Sequence, residues 1–182
     1  SIARNNARKF RKEVKFHNHS FQESNKIAGN FDVVISMFSA IDYLTSYEDL
    51  SRTLGNVQHL LSDEGVLIFD YWNGNAVARD YSPLRVLRKQ SKGERIVRIS
   101  ETDLDLFNQL ATVRFFCMYF DKEGLVQEFE ELHKLRYYYF DEMKTFLRLN
   151  NFEIVYRGPF MKLGETLDSF EWNISIVAKK LK

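Results

Sequence analysis

Cysteine occurs once, at Cys117. A single thiol closes no internal disulfide and builds no Cys-based metal site, so the chain suits a reducing compartment, the cytoplasm. Proline occurs 2 times and glycine 8 times, which excludes collagen-like and low-complexity classes. No apolar run approaches the roughly 18 uncharged residues a membrane helix needs, and no signal-peptide pattern opens the sequence. No membrane association is therefore expected. Neither sign of charge dominates: 26 basic residues face 25 acidic ones, a net of +1. A general nucleic-acid binder is not expected from that balance. Aromatic residues, by contrast, make up 15% of the 182 positions, with 16 phenylalanines. That is too much apolar surface to leave in water, so disorder is excluded as the main state. The length suits one domain, at most with an insert, and is enough to bury a core.

The first ten residues place Ile2, Ala3, Ala7 and Phe10 on one face of a helix, with Arg4, Arg8, Arg11 and Lys12 around it. No cap or staple precedes this helix. It reads as entered midway, and the expectation is a chain that continues upstream of Ser1; a frayed terminal helix is the alternative. Val14 to His17 is a short strand candidate. Phe31 to Met37 (FDVVISM) has the apolar continuity of a parallel strand buried on both faces. Tyr47 to Leu61 repeats Leu50, Leu54, Val57, Leu60 and Leu61 at helical spacing, with Thr45 or Ser46 as cap. Ser62 to Gly65 reads as the turn that ends it. Val66 to Tyr71 (VLIFDY) is a second buried strand. Strand, helix, strand is the signature of an α/β fold.

The texture then changes. Residues 85–139 are β-prone, with little helical period. Arg95 to Ser100, Ala111 to Phe120 and Leu125 to Tyr139 predict three or four antiparallel strands, with a tight hairpin at Asp121 to Gly124. A helix follows over Asp141 to Leu149, ended by Asn150 and Asn151. Phe152 to Tyr156 and Trp172 to Ala178 form a closing strand pair, and Lys179, Lys180 and Lys182 a solvated tail. The division expected is an α/β core over 1–84 and 140–182, with an antiparallel insert over 85–139. The basic clusters at 4–15 and 85–98 read first as solvated faces, and second as a patch facing an anionic substrate group. His17 and His19 share a strand face, but nothing completes a metal site, and none is expected. Cys117 among aromatics reads as buried filler. No nucleophile elbow or Ser-His-Asp order is present.

Three stretches, FDVVISMFSAIDYL (31–44), NVQHLLSDEGVLIFDYWN (56–73) and EFEELHKLRYYYFDEMKTFLRLNNFEIV (128–155), occur in this order. Together with the closing EWNISIVAKK they resemble the later part of class I S-adenosylmethionine-dependent methyltransferases. IARNNARKF (2–10) resembles the helix after that family's second strand, and HNHSFQE (17–23) the turn after its third. The insert and the M-F-S-A motif resemble, more loosely, the sugar-nucleotide amine N-methyltransferases. The resemblance implies a Rossmann-like core whose first strands are missing from this chain. It also implies methyl transfer from S-adenosylmethionine to a small-molecule acceptor. Two features depart from the family. The glycine-rich loop and the acid ending strand two are absent, and Ser20 stands where Asp often binds the adenine amino group.

By that resemblance, Ser20 and Phe21 flank adenine, and Met37, Phe38 and Ser39 leave a parallel strand at the edge where ligands bind. An ordinary turn and core packing are the respective alternatives. Asp42, Tyr71, Trp72, Asn73 and Arg136 are substrate-binding candidates, with helix capping, core packing or a surface ion pair as alternatives. Tyr43 and His133 are the candidate catalytic pair, with Glu131 on the face of His133 to hold the imidazole as a base; a structural cross-strand pair is the rival reading. Phe115, Phe116, Tyr119 and Phe120 could make a homodimer interface. A non-catalytic binding or regulatory partner that has lost the cofactor loop is the second class of function considered.

Overall fold

The computed structural model describes residues 2–10 and 13–181; Ser1, Arg11, Lys12 and Lys182, with the readings made for them, lie outside the described residues. The first helix, α1, spans Ile2–Lys9. Strand β1 (Phe31–Ser36) leads through a short 3-10 turn (Ala40–Tyr43) into α2 (Tyr47–Leu60), β2 (Leu61–Trp72) and α3 (Gly74–Asp80). Four strands follow: β3 (Leu84–Ser91), β4 (Glu94–Asp105), β5 (Leu110–Phe120) and β6 (Leu125–Arg136). Helix α4 (Phe140–Leu149), β7 (Phe152–Pro159) and β8 (Asn173–Lys180) close the chain.

The strands form two sheets of four. One has the order β1-β2-β8-β7, the other β3-β4-β5-β6. In the first, β1 and β2 run parallel with α2 as their connection, and β8 is antiparallel to both β2 and β7. The second is antiparallel throughout. Leu67, Phe69 and Tyr71 of β2 alternate toward the helices, as a two-residue period requires. They pack there with Leu50, Leu54 and Val57 of α2, Met143 and Leu147 of α4, and Ile174 and Ile176 of β8. Each of these fully buried side chains contributes about 1.5–3 kcal/mol relative to exposure.

Local chemistry sets the helix ends. The Ser46 hydroxyl accepts from Asp49 N at 3.0 Å and caps α2. Asn151 takes the left-handed conformation (φ 59°) that stops α4, a conformation asparagine tolerates better than most residues. Gly124 (φ 140°) turns the β5–β6 hairpin while the Asp121 carboxylate accepts from Glu123 N and Gly124 N.

Three expectations are corrected, and one helix was not foreseen. Residues 13–20 carry no regular secondary structure, so Val14 to His17 is not a strand; no partner strand lies beside it among the described residues. Among the described residues, strand β1 is an edge strand, paired with β2 alone, and its outward side chains are exposed, Ile35 to 63%. Ser62 to Gly65 is not a free turn. The register passes from Phe31↔Leu61 to Val33↔Val66, which makes the segment a bulge inside β2. A Cβ at Gly65 would lie 3.0 Å from Leu61 and from the Phe31 carbonyl, so a side chain there would make the bulge shift by a few tenths of an ångström. Helix α3 was not foreseen; its signal is Asn73, whose side chain accepts from Asn75 N.

Candidate functional site

The carboxyl ends of β1 and β2 lie side by side, the edge at which parallel sheets bind ligands. After β1 the chain passes through two left-handed residues, Phe38 (φ 61°) and Ser39 (φ 57°). Such a pair of non-glycine residues stays in place only if its surroundings hold it. They do. Asp70, buried in β2, accepts from Ser39 N at 2.9 Å and from Ser39 Oγ at 3.1 Å, all through Oδ2. Asn173 of β8 donates to the same oxygen at 2.9 Å and to Ser39 Oγ at 2.6 Å. One turn later Asp42, fully buried, accepts from Trp72 N at 3.0 Å. Burial drives the Asp42 carboxyl well above the usual carboxylate range; the Trp72 N–H opposes this and the charge of Asp70 adds to it. Two buried carboxylates thus fasten the β1 loop to β2 and β8.

The next residue looks outward. Tyr43, half exposed, places its hydroxyl 2.6 Å from His133 Nδ1 on β6 of the second sheet. His133 Nε2 lies 3.3 Å from a Glu131 oxygen. With Glu131 ionised, the network assigns the Nε2–H to Glu131 and leaves Nδ1 to accept from the Tyr43 hydroxyl. Partial burial raises the Tyr43 phenol, with the charges of Glu131 and Asp42 adding to it. It therefore stays neutral at physiological pH, and its oxygen retains a lone pair for an incoming N–H or O–H. Phe115 backs the imidazole, ring centroids 5.0 Å apart.

Other candidates go elsewhere. Ser39 is spent on Asp70 and Asn173. Asp42 faces the backbone of β2 and not a ligand, because its turn folds inward. Tyr71 is completely buried between Phe69 and Tyr138 and walls no site; burial first, then the Asp42 charge, pushes its phenol up. Asn73 caps α3 and donates to the carbonyls of Ser169 and Glu171, which ties down the β7–β8 connection. Arg136 is buried, donates to Thr45 O at 2.7 Å and lies over the Tyr47 ring. Trp72 meets Trp172 edge-on, 5.3 Å between rings, and lines a cavity at the second sheet. Met37 is half-buried, and Phe38 is exposed to 79%, edge-on to Phe160 at 5.7 Å.

Ser20 caps the 3-10 turn at Phe21–Lys26 through Glu23. Lys26 first, then Ser20, holds the Glu23 carboxyl down at about 2. Phe21 packs on the core, and both residues border an open groove beside the free edge of β1. Met37, Phe38 and Ser39 do not line that groove. No cluster of three metal-ligating side chains occurs among the described residues.

Sequence reasoning missed Asp70, Asn173 and Trp172. Asp70 carried a signal, a lone acid inside VLIFDYW, because a charge in a doubly buried strand needs partners.

No family model matches the sequence, and no curated protein matches it. Solved structures do. An S-adenosylmethionine-dependent methyltransferase from Clostridium acetobutylicum superimposes with a TM-score of 0.85 at 18% identity, over 99% of this chain and 70% of that one. CalS10, an amino pentose methyltransferase from Micromonospora echinaspora solved with its S-adenosylmethionine, gives 0.66 at 16%, over 86% and 62%. The sugar N-methyltransferase KedS8 from Streptoalloteichus gives 0.64 at 15%, over 87% and 60%. The chain thus spans between 60% and 70% of the length of these structures. The likeness is one of fold, that of the class I S-adenosylmethionine-dependent methyltransferases.

Proposed function

We propose that the protein transfers a methyl group from S-adenosylmethionine to an amine or hydroxyl of a small molecule, at the edge where Tyr43 meets His133. The observation that carries this reading is the 2.6 Å contact between Tyr43 Oη and His133 Nδ1. It joins the loop after β1 to the second sheet, at the ligand-binding end of a methyltransferase fold. The fold of the solved neighbours, methyltransferases by description, one of them S-adenosylmethionine-dependent and one with S-adenosylmethionine bound, supports it.

The residues present suit one side of the cofactor. Phe38 offers an exposed apolar ring and Met37 a half-buried thioether at the end of β1, an edge where an adenosyl group finds apolar cover. A glycine-rich turn and a ribose-binding acid have no counterpart in residues 1–182. When bound, the cofactor supplies a methyl on a sulfonium, a good leaving group. What the chain adds is position and a route for a proton. Tyr43 Oη accepts a hydrogen bond from the acceptor N–H or O–H and orients its lone pair. As that proton is released, Tyr43 Oη takes it and passes its own to His133 Nδ1. Glu131 steadies the imidazolium at Nε2. The Asp70–Ser39–Asn173 bonds keep the loop bearing Tyr43 in place.

The test follows methyl transfer from isotopically labelled S-adenosylmethionine to a panel of small amines and alcohols by mass spectrometry. His133→Ala is expected to lower kcat by about 10²–10⁴, the usual range for a lost general base, with KM little changed; Tyr43→Phe is expected to lower it as well. A folded protein that transfers no methyl group and gains no thermal protection from adenosylhomocysteine would overturn the reading.

A further inference from the structure

A cavity of about 160 Å³ opens where the second sheet meets the ends of β2 and α3. Its walls hold two guanidinium groups, Arg85 and Arg98, and no carboxylate. Arg98 has no hydrogen bond or ion pair among the described residues, and its Nε is buried without a partner. Arg85 donates to the Asp80 carbonyl at 3.1 Å and leaves its remaining N–H groups free. Arg98 is half-buried and its buried, unmatched Nε is costly unless something anionic meets it, while Arg85 is exposed on the rim.

Register shows where these groups point. Arg85 pairs with Ser100, and Arg98 lies two residues from Ser100 on β4, so both guanidiniums leave one face of the sheet. Ser100 pairs with Phe115, Phe115 with Glu131, and Val113 with His133. Arg85, Arg98, Phe115, Glu131 and His133 therefore share one face. Phe115 joins the two ends: its ring lies 4.6 Å from the Arg98 guanidinium carbon and 5.0 Å from the His133 ring, which puts the two within about 10 Å of each other. Trp72 and Trp172 close the apolar side, with Arg85 over the Trp172 ring at 5.2 Å. The volume suits one charged group and a few carbons, since whole drug-sized ligands occupy roughly 300–1,000 Å³.

We infer that, given the methyl-transfer reading above, this cavity is the anion subsite for the acceptor. Arg85 and Arg98 hold a carboxylate or phosphate of the small molecule whose nucleophilic atom lies at Tyr43 and His133. The acceptor is then a short amine or alcohol that also bears an acid group, since the Arg98 guanidinium and the His133 ring it would span lie within about 10 Å of each other.

The chain supplies its own probe. Its 2 tryptophans, Trp72 and Trp172, both line the cavity. Indole fluorescence of the full chain is titrated with phenyl phosphate and with benzoate, and with benzyl alcohol as a neutral match. A saturable change with the anions and none with benzyl alcohol is expected. Arg98→Leu and Arg85→Leu are each expected to weaken anion binding roughly tenfold or more, the scale of a lost charge-assisted bond. Arg98→Lys, which keeps the charge, should retain part of it. Circular dichroism checks that each variant folds, and Arg98→Lys with Arg85→Gln replaces any that does not. No saturable response, an equal response to benzyl alcohol, or unchanged affinity in the arginine variants would overturn the subsite. Competition by adenosylhomocysteine would also overturn its assignment to the acceptor, since the anion would then be the cofactor's carboxylate. The titration needs no turnover. Saturable anion binding without methyl transfer would leave the subsite standing and remove the methyl-transfer reading alone.

Discussion

Asp42→Asn is expected to stabilise the protein, and to do so more as the pH rises. Asp42 is fully buried and, among the described residues, has a single hydrogen bond, from Trp72 N, with none at its Oδ1. Burial pushes its carboxyl well above the value of 3.8 it has when exposed. The native state therefore holds the proton more tightly than the unfolded chain does. That contribution is fully present below about pH 4 and is lost as pH rises toward the native pKa, because burying the ion becomes the cost of folding. Over that window the loss approaches about 1.4 kcal/mol per pH unit for one group. Asparagine keeps the shape and the acceptor for Trp72 N and does not titrate. Urea unfolding of both proteins at pH 4, 5, 6 and 7 reads the difference directly. The variant's advantage should grow by up to about 1.4 kcal/mol per unit, or roughly 3–6 °C in Tm for a chain of this length. Groups common to both proteins cancel. A difference that stays constant from pH 4 to 7 would refute the reasoning, since Asp42 would then titrate alike in both states.

Ser46→Ala removes the acceptor for Asp49 N and should cost about 1 kcal/mol, read as a Tm lower by roughly 2–4 °C. Leu54→Ala opens a void in the core between α2 and β2 and should cost about 2–5 kcal/mol in chemical denaturation. Asp70→Ala leaves Ser39 N without its acceptor, and a loss of about 1–3 kcal/mol is expected. It should also lower methyl transfer, because the loop that aims Tyr43 is freed.

Much of the architecture was legible because it rests on local pattern. The run FDVVIS, the leucine spacing of 47–60 and VLIFDY each specify an element by period alone, and the order of those elements specifies α/β. The β-prone texture of 85–139 likewise predicts three or four antiparallel strands, and four form. The bulge at Ser62 to Gly65 was not legible, because the same four residues serve as a turn or a bulge depending on what lies across from them. The exposure of β1 was not legible for a similar reason: an apolar strand reads as buried until its neighbours are counted.

The candidate site divides the same way. The amino-acid sequence by itself determined which groups are available: one histidine two residues from a glutamate on a strand, a tyrosine after an acid in a turn, and arginines spaced along a β-rich stretch. Tertiary structure alone decided their use. Tyr43 and His133 stand 90 residues apart, and only the meeting of two sheets brings them to 2.6 Å. Arg136 and Arg98 belong to two strands of the same sheet, β6 and β4, yet one is bound to the Thr45 carbonyl and the Nε of the other is left unmatched. Composition and spacing are properties of the chain taken a few residues at a time. Burial and partnership depend on which distant segments share a surface, and that is settled when the sheets close on their core.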